Sequence, residues 1–166
     1  DAIESGKYDP HKVALILFQT GGGCRASNYV SLLRKALAKA GYGYSVSFSL
    51  DGVKEQPGTK LFSNGITDFY LASPTDGRMA FVRDGYLNTF NYFVEEGKQV
   101  NIRIECTNTA TRLYVDGKLT DELKRAKRWA SEKVSYDYVP TLCFPLEQAG
   151  NFNSRVTNLK VENFVR

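Results

Sequence analysis

Histidine, cysteine and long apolar runs are scarce in this chain of 166 residues, and each scarcity excludes a class of function. The only histidine is His11, so zinc sites built on several imidazoles and HExxH proteases are excluded. Its place beside Pro10 near the start of the chain favours a solvated linker histidine over a partner for a catalytic Ser or Cys. The three cysteines have no CxxC spacing, which excludes zinc ribbons and redox motifs. No apolar run approaches the ~20 residues that cross a bilayer, so we expect no membrane insertion.

The charge balance is only mildly basic. The chain has 22 Lys and Arg against 18 Asp and Glu, a net charge of +4, and this excess is too small and too dispersed to indicate nucleic-acid binding. The densest basic segment, 124–133, surrounds Trp129, a pattern more typical of a solvated face with one anchoring aromatic ring. Gly21-Gly22-Gly23 is not followed by the Lys and Ser or Thr of a phosphate-binding loop, so we expect no nucleotide cofactor.

The carboxylates do not form the array that β-sandwich glycosidases use. Such enzymes need two acidic groups that project into one cleft, as alternate positions of a strand provide. Here Glu95 and Glu96 are adjacent before a glycine, and Asp121 and Glu122 are adjacent and therefore diverge on a strand. We expect no catalytic residues, no metal site and no enzymatic activity in this chain.

The dominant period of the sequence is two, the period of a β-strand. Apolar residues alternate with serines over 44–50, and 99–106 repeats the pattern with polar residues opposite Val100, Ile102 and Ile104. One apolar and one polar face is the mark of an antiparallel sheet. Asp-Gly pairs at 84–85 and 116–117 separate further strands and suit type I′ turns. Some ten or eleven short strands predict a β-sandwich.

Two stretches depart from this pattern. Apolar residues at helical spacing over 32–40 predict a helix. Good helix formers dominate 121–133, for which we expect a short surface helix or an ordered loop. Residues 1–11 are polar and predict a linker or a leading strand, and residues 12–166 form a single domain.

Aromatic residues are abundant, with ten Tyr, ten Phe and one Trp. Most Phe must be core, but the ring of Tyr packs while its hydroxyl needs a polar partner. Strand alternation over 86–93 places Tyr86 and Tyr92 on one face, with polar groups close by. Rings flanked by polar groups suit sugars, because rings contact the C–H face and polar groups bond the hydroxyls. The candidate carbohydrate-binding residues are Arg83, Tyr86, Asn88, Tyr92, Trp129 and Tyr136.

A family resemblance rests on several segments in a fixed order. In chain order they are Tyr44-Ser-Val-Ser-Phe-Ser-Leu50, Gly58-Thr-Lys-Leu-Phe-Ser63, Met79-Ala-Phe-Val-Arg-Asp-Gly-Tyr86, Gly97-Lys-Gln-Val-Asn-Ile-Arg-Ile104, Thr111-Arg-Leu-Tyr-Val-Asp-Gly-Lys118, Leu142-Cys-Phe-Pro-Leu146 and Val156-Thr-Asn-Leu-Lys-Val161. Over about residues 12–165 this order resembles a concanavalin A-like, or laminin G-like, jelly-roll domain. More narrowly, it is similar to domains C-terminal to bacterial β-N-acetylhexosaminidases and other secreted glycoside hydrolases.

The resemblance implies an all-β, two-sheet antiparallel jelly-roll sandwich with about six or seven strands in each sheet and one or two short helical segments. It also implies that 28–33 begins as a strand, against the helical interpretation of 32–40. Members of this superfamily commonly bind glycans or act as adhesive or spacer modules. Some bind calcium, so a structural calcium ion is an open alternative to a domain with no cofactor.

The leading hypothesis is a non-catalytic carbohydrate-binding or accessory domain of a secreted glycan-degrading enzyme, extracellular or in the cell envelope. Its partner would be a glycan or a neighbouring catalytic domain. The alternative is a structural or protein-interaction module that packs on such a catalytic domain through an exposed apolar patch. A β-sandwich hydrolase is the third hypothesis.

Overall fold

The computed structural model describes residues 5–9, 36, 41–65, 67–107, 109–142, 147–150 and 152–165. His11, Cys24, Cys143 and nearly all of the segments 28–33 and 32–40 lie outside these residues, as do most of residues 1–11. Among the described residues no helix is long and apolar enough to span a membrane.

Twelve strands are present in the described part of the chain. They are β1 (Tyr42–Asp51), β2 (Lys60–Ser63), β3 (Thr67–Tyr70), β4 (Ala80–Arg83), β5 (Tyr86–Thr89), β6 (Gln99–Cys106), β7 (Ala110–Val115), β8 (Lys118–Lys124), β9 (Ala126–Ser131), β10 (Val134–Tyr138), β11 (Glu147–Gln148) and β12 (Arg155–Val165).

The strands form two five-stranded antiparallel sheets that pack as a sandwich, which confirms the predicted all-β sandwich class. The first sheet has the order β12-β1-β6-β7-β8 and the second has the order β11-β2-β3-β4-β5. A separate two-stranded sheet, β9 with β10, completes the described structure.

The core lies between the two large sheets, as the period-two pattern requires. The first sheet contributes alternate residues of β1 and β6, including Phe48 and Ile102. The second contributes a cross-strand row of Phe62, Phe69 and Phe81. Phe48 meets Phe62 edge to face at 6.2 Å between ring centroids, so aromatic contacts join the two sheets.

The two Asp-Gly hairpins form as predicted. Asp84 and Gly85 have φ of 51° and 78°, and Asp116 and Gly117 have φ of 49° and 77°. Positive φ at both central residues is the type I′ requirement that favours this dipeptide. The turns fix the registers of β4 with β5 and of β7 with β8.

The prediction of a helix or an ordered loop over 121–133 is wrong. Residues up to Lys124 complete β8, and residues from Ala126 form β9. Lys, Arg, Glu and Ala are good helix formers, but intrinsic propensity amounts to less than about 1 kcal/mol per residue, and pairing with β7 and with β10 outweighs it.

The strand predicted over 86–93 is shorter than expected. Strand β5 ends at Thr89, and the amide of Tyr92 then donates to the carbonyl of Phe90 across 2.8 Å, which closes a γ-turn. This turn ends the simple alternation, and Tyr92 is buried in the core with 9% exposure. The common face predicted for Tyr86 and Tyr92 therefore does not follow from strand geometry.

The predicted last strand is present as β12, but its apolar residues are not buried. Leu159 and Val161 are 52% and 53% exposed. Among the described strands β12 pairs only with β1 and forms the edge of its sheet. An edge strand has neighbours on one side only, so its side chains are less covered.

Candidate functional site

The β9–β10 hairpin has two faces that differ in what they contact. Arg128 lies opposite Tyr136 in the register, and Trp129 lies opposite Ser135. Because cross-strand partners share a face and consecutive residues alternate, Arg128 and Tyr136 lie on one face and Trp129 on the other. We call the face of Arg128, Tyr136 and Tyr138 the inner face, and the face of Trp129 the outer face.

Tyr138 fixes the inner face to the second large sheet. Its hydroxyl donates to the carbonyl of Arg83 at 3.1 Å and accepts from Nδ2 of Asn88 at 2.8 Å. Its ring meets that of Tyr86 edge to face, with centroids 5.3 Å apart. Burial of Tyr138 raises the pKa of its hydroxyl, so the group is a neutral donor at ordinary pH. These contacts dock the hairpin on β4 and β5.

Arg128 covers the same two aromatic rings. Its Cζ lies 4.8 Å from the ring centroid of Tyr86 and 5.2 Å from that of Tyr138. Each distance is within the range of a cation–π contact. In the described structure its Nε is buried and has no hydrogen-bond acceptor.

Two tyrosine hydroxyls meet at the rim of this contact. The hydroxyl of Tyr136 donates to that of Tyr86 across 2.9 Å, and Tyr136 is 40% exposed. The hydrogen bond with Tyr86 raises the pKa of Tyr136, while the cation of Arg128 opposes the shift. The hydroxyl of Tyr136 is therefore a neutral donor at ordinary pH, and its proton is used in the bond with Tyr86.

The outer face carries one large exposed ring. Trp129 is 63% exposed, although the strand that carries it is docked through its other face. Lys127 and Asp137 form the next cross-strand pair on the outer face, and Asp137 also forms an ion pair with Arg125 at 3.5 Å. The ring of Trp129 is therefore flanked by the hydroxyl of Ser135, the carboxylate of Asp137 and the cations of Lys127 and Arg125.

The structure brings together four of the six residues predicted for the site. Arg83, Tyr86, Asn88 and Tyr136 all belong to the junction of the inner face with β4 and β5. Trp129 lies on the same strand as Arg128 but on the outer face. Tyr92 is in the core, apart from the junction.

The roles of these residues differ from simple sugar contacts. Asn88 is 6% exposed, and its amide bonds to Tyr138 and to the carbonyl of Tyr86. Arg83 forms an ion pair with Asp84 at 3.1 Å. Asn88 therefore holds the junction in place, and Arg83 does so through its carbonyl rather than its side chain. Tyr86 and Tyr136 lie at the rim of the junction, and Trp129 is exposed on the outer face.

Sequence reasoning missed Arg128 and Tyr138, which are central to the junction. The usable signal was the alternation of Tyr136 and Tyr138 in a short strand after Val134. The helical interpretation of 121–133 hid it, because the facing strand β9 lies largely within that stretch.

A metal centre is not apparent in the part of the chain that the structure describes. No group of three or more His, Cys, Asp or Glu side chains lies in a position to hold an ion there. Cys106 is a buried free thiol whose pKa is raised by burial, and it accepts a hydrogen bond from Thr111 at 3.6 Å. Cys106 is therefore a buried core residue whose thiol is kept protonated by burial.

No protein-family model and no curated protein matches this chain. Among solved structures, one described as a sialidase is similar at 16% identity with a TM-score of 0.40. The match covers 72% of this chain and 13% of that chain. A TM-score of this size does not establish a common fold, so the architecture rests on the strands themselves.

Proposed function

We propose that this chain is a non-catalytic carbohydrate-binding domain, of the concanavalin A-like jelly-roll type, from a secreted glycan-processing protein. Its glycan stacks on Trp129 at the outer face of the β9–β10 hairpin. The observation that carries the proposal is the 63% exposure of Trp129 on a docked strand. The site takes no part in bond cleavage and holds the glycan for a catalytic domain elsewhere.

Rigidity of the hairpin is the first argument. A two-stranded hairpin alone is marginally stable in water. Here Tyr138, Arg128 and Tyr136 fix the inner face on β4 and β5. The outer face is therefore held in place and stays open to solvent. A stacking ring whose backbone is already ordered loses less entropy on binding.

The chemistry around the ring is the second argument. An indole offers a large apolar face for sugar C–H groups. Ser135 and Asp137, at neighbouring positions of the outer face, supply acceptors and a donor for sugar hydroxyls. The site is open and solvated, so we expect Kd values from micromolar to millimolar.

A glycan array followed by calorimetry tests the proposal, with Trp129→Ala as the site variant. Phe93→Ala is the matched control, since Phe93 is also an exposed aromatic residue (56%) but lies outside the hairpin. We expect Trp129→Ala to weaken binding at least tenfold and Phe93→Ala to leave it within twofold. Absence of binding to every glycan at millimolar concentration would contradict the proposal.

A structural or interaction module is the second candidate, and one observation favours it. Leu159 and Val161 are exposed on the edge strand β12, which has no neighbour on its other side among the described strands. An apolar edge suits contact with an adjoining domain. Gain of solubility on Leu159→Ser with Val161→Ser, together with no glycan binding by the parent domain, would favour this candidate.

A further inference from the structure

The inner-face junction has hydrogen-bond donors that its own residues do not use. Arg128 makes no ion pair or hydrogen bond within the described structure, and its recorded contacts are with the rings of Tyr86 and Tyr138. The hydroxyl of Tyr86 accepts from Tyr136, so its own proton is not used in that bond. The carboxylate of Asp84, in the turn beside the junction, is paired with Arg83 at 3.1 Å.

A guanidinium in this situation suits one chemical class of ligand. It is a planar fork of five N–H donors that matches the oxygens of a carboxylate or sulfate in a bidentate manner. Two aromatic rings hold the side chain, so its orientation is set before a ligand arrives. Tyr86 adds an O–H donor beside the cation.

We propose that Arg128, with the hydroxyl of Tyr86, forms an oxyanion subsite for a carboxylate or sulfate group of an acidic sugar. The subsite is distinct from the Trp129 platform, because consecutive residues of β9 face opposite sides. The identity of the ligand as a sugar rests on the proposed function, whereas the anion site rests on the junction itself.

Titration of the Arg128 Nε–H signal in two-dimensional NMR spectra tests the subsite directly. The probes are sodium glucuronate, glucose 6-sulfate and glucose. We expect a saturable shift with one or both anionic sugars and none with glucose. The stronger of the two anions identifies the group that the subsite prefers. An equal response to glucose, or no response to any of the three, would overturn the proposal.

Three variants separate the subsite from general charge effects. Arg128→Gln removes the charge, and Arg128→Lys keeps the charge but loses the fork, so we expect each to weaken anion binding at least tenfold. Lys133→Gln removes the same charge from the exposed turn between β9 and β10 and should change binding less than twofold. Equal weakening by Lys133→Gln and Arg128→Gln would contradict the subsite. Backbone NMR spectra identify any variant in which the hairpin is no longer docked on β4 and β5. If Arg128→Gln is such a variant, the anion affinity of Arg128→Lys decides whether the subsite exists.

The outcome also separates this inference from the proposed function. Glycan binding that depends on Trp129, with no anion response at Arg128, would overturn only the subsite. An anion response at Arg128 without any glycan binding at Trp129 would overturn only the proposed function.

Discussion

Tyr136 and Tyr138 lie two residues apart on the same face of one strand, yet their hydroxyls have different surroundings. The hydroxyl of Tyr138 is buried between Asn88 and the carbonyl of Arg83, whereas Tyr136 is 40% exposed and contacts Tyr86 at the rim. A buried polar group that loses its hydrogen-bond partner has no water to replace it, which costs the full desolvation free energy. An exposed group bonds to water instead.

We therefore expect Tyr138→Phe to lower the free energy of unfolding by about 1–3 kcal/mol, because the carbonyl of Arg83 loses its donor. Tyr136→Phe is the matched control, with an expected cost below ~0.5 kcal/mol, as for most exposed substitutions. Urea unfolding of the two variants measures both values. Equal costs would contradict the assignment of Tyr138 as the residue that docks the hairpin.

Among the carboxyl groups that the structure describes, Asp76 has the most clearly lowered pKa. It accepts hydrogen bonds from the Ser73 hydroxyl at 2.5 Å and from Nε of Arg78 at 2.8 Å. These bonds favour the ionised form and lower its pKa from 3.8 to about 2. Because the folded-state pKa is depressed, the contribution of Asp76 to stability is present above pH 3.8 and is lost as the pH falls towards 2.

We expect Ser73→Ala to raise the pKa of Asp76 towards its ordinary value, since the hydrogen bond from Ser73 is the largest cause of the shift. The ¹³C shift of the Asp76 carboxyl carbon, followed against pH in parent and variant, measures this change. An identical midpoint in the two proteins would show that Ser73 does not stabilise the carboxylate.

Two glycines at the ends of strands are required for different physical reasons. Gly117 has φ of 77°, and a Cβ there would meet no atom within 4 Å, so the requirement is conformational. Gly52 lies where a Cβ would collide with the carbonyl oxygen of Glu95 and approach Val94. Gly52 is therefore required because the end of β1 and the loop before β6 lie too close together for a side chain.

We expect Gly117→Ala to cost about 1–2 kcal/mol, the cost of left-handed backbone at a residue with a Cβ. Gly52→Ala should cost more, because the backbone of Glu95 must move to admit the methyl group. Thermal or urea unfolding ranks the two variants. A smaller effect at Gly52 than at Gly117 would contradict the close contact of these loops.

At the level of elements, alternation and turn chemistry predicted the strands that bury a complete face. Strands β1 and β6 follow the alternation of 44–50 and 99–106, since residues such as Val46 and Ile104 reach the core. The period failed for β9, where apolar and polar residues do not alternate and helix formers dominate. Pairing with β10 favours the extended form of β9. Such pairing cannot be predicted from the composition of β9 alone.

For the molecule as a whole, the sandwich could be predicted from the sequence, but the arrangement of the candidate site could be predicted only in part. The sequence predicts Tyr86 and Tyr136 because a Tyr ring packs while its hydroxyl needs a polar partner, and the fold brings the two hydroxyls within 2.9 Å. Tyr92 was chosen by strand parity, which the γ-turn at Phe90 interrupts. Arg128 needed the register of β9 with β10, which depends on contacts distant in sequence.

The position of Trp129 gives the whole domain a built-in reporter, because it is the only tryptophan of the chain. The tryptophan fluorescence of the domain therefore comes from Trp129 alone, the residue of the proposed glycan platform. The emission of the free domain should be that of a solvated indole, since Trp129 is 63% exposed. Tyrosine and phenylalanine elsewhere do not emit when excitation is confined to the red edge of indole absorption.

A fluorescence titration of the whole domain shows whether a glycan stacks on the ring of Trp129. With a glycan selected from the array, we predict a saturable blue shift of the Trp129 emission whose Kd equals the calorimetric value. Calorimetric binding of that glycan with no change in Trp129 emission would place the ligand elsewhere and contradict the account.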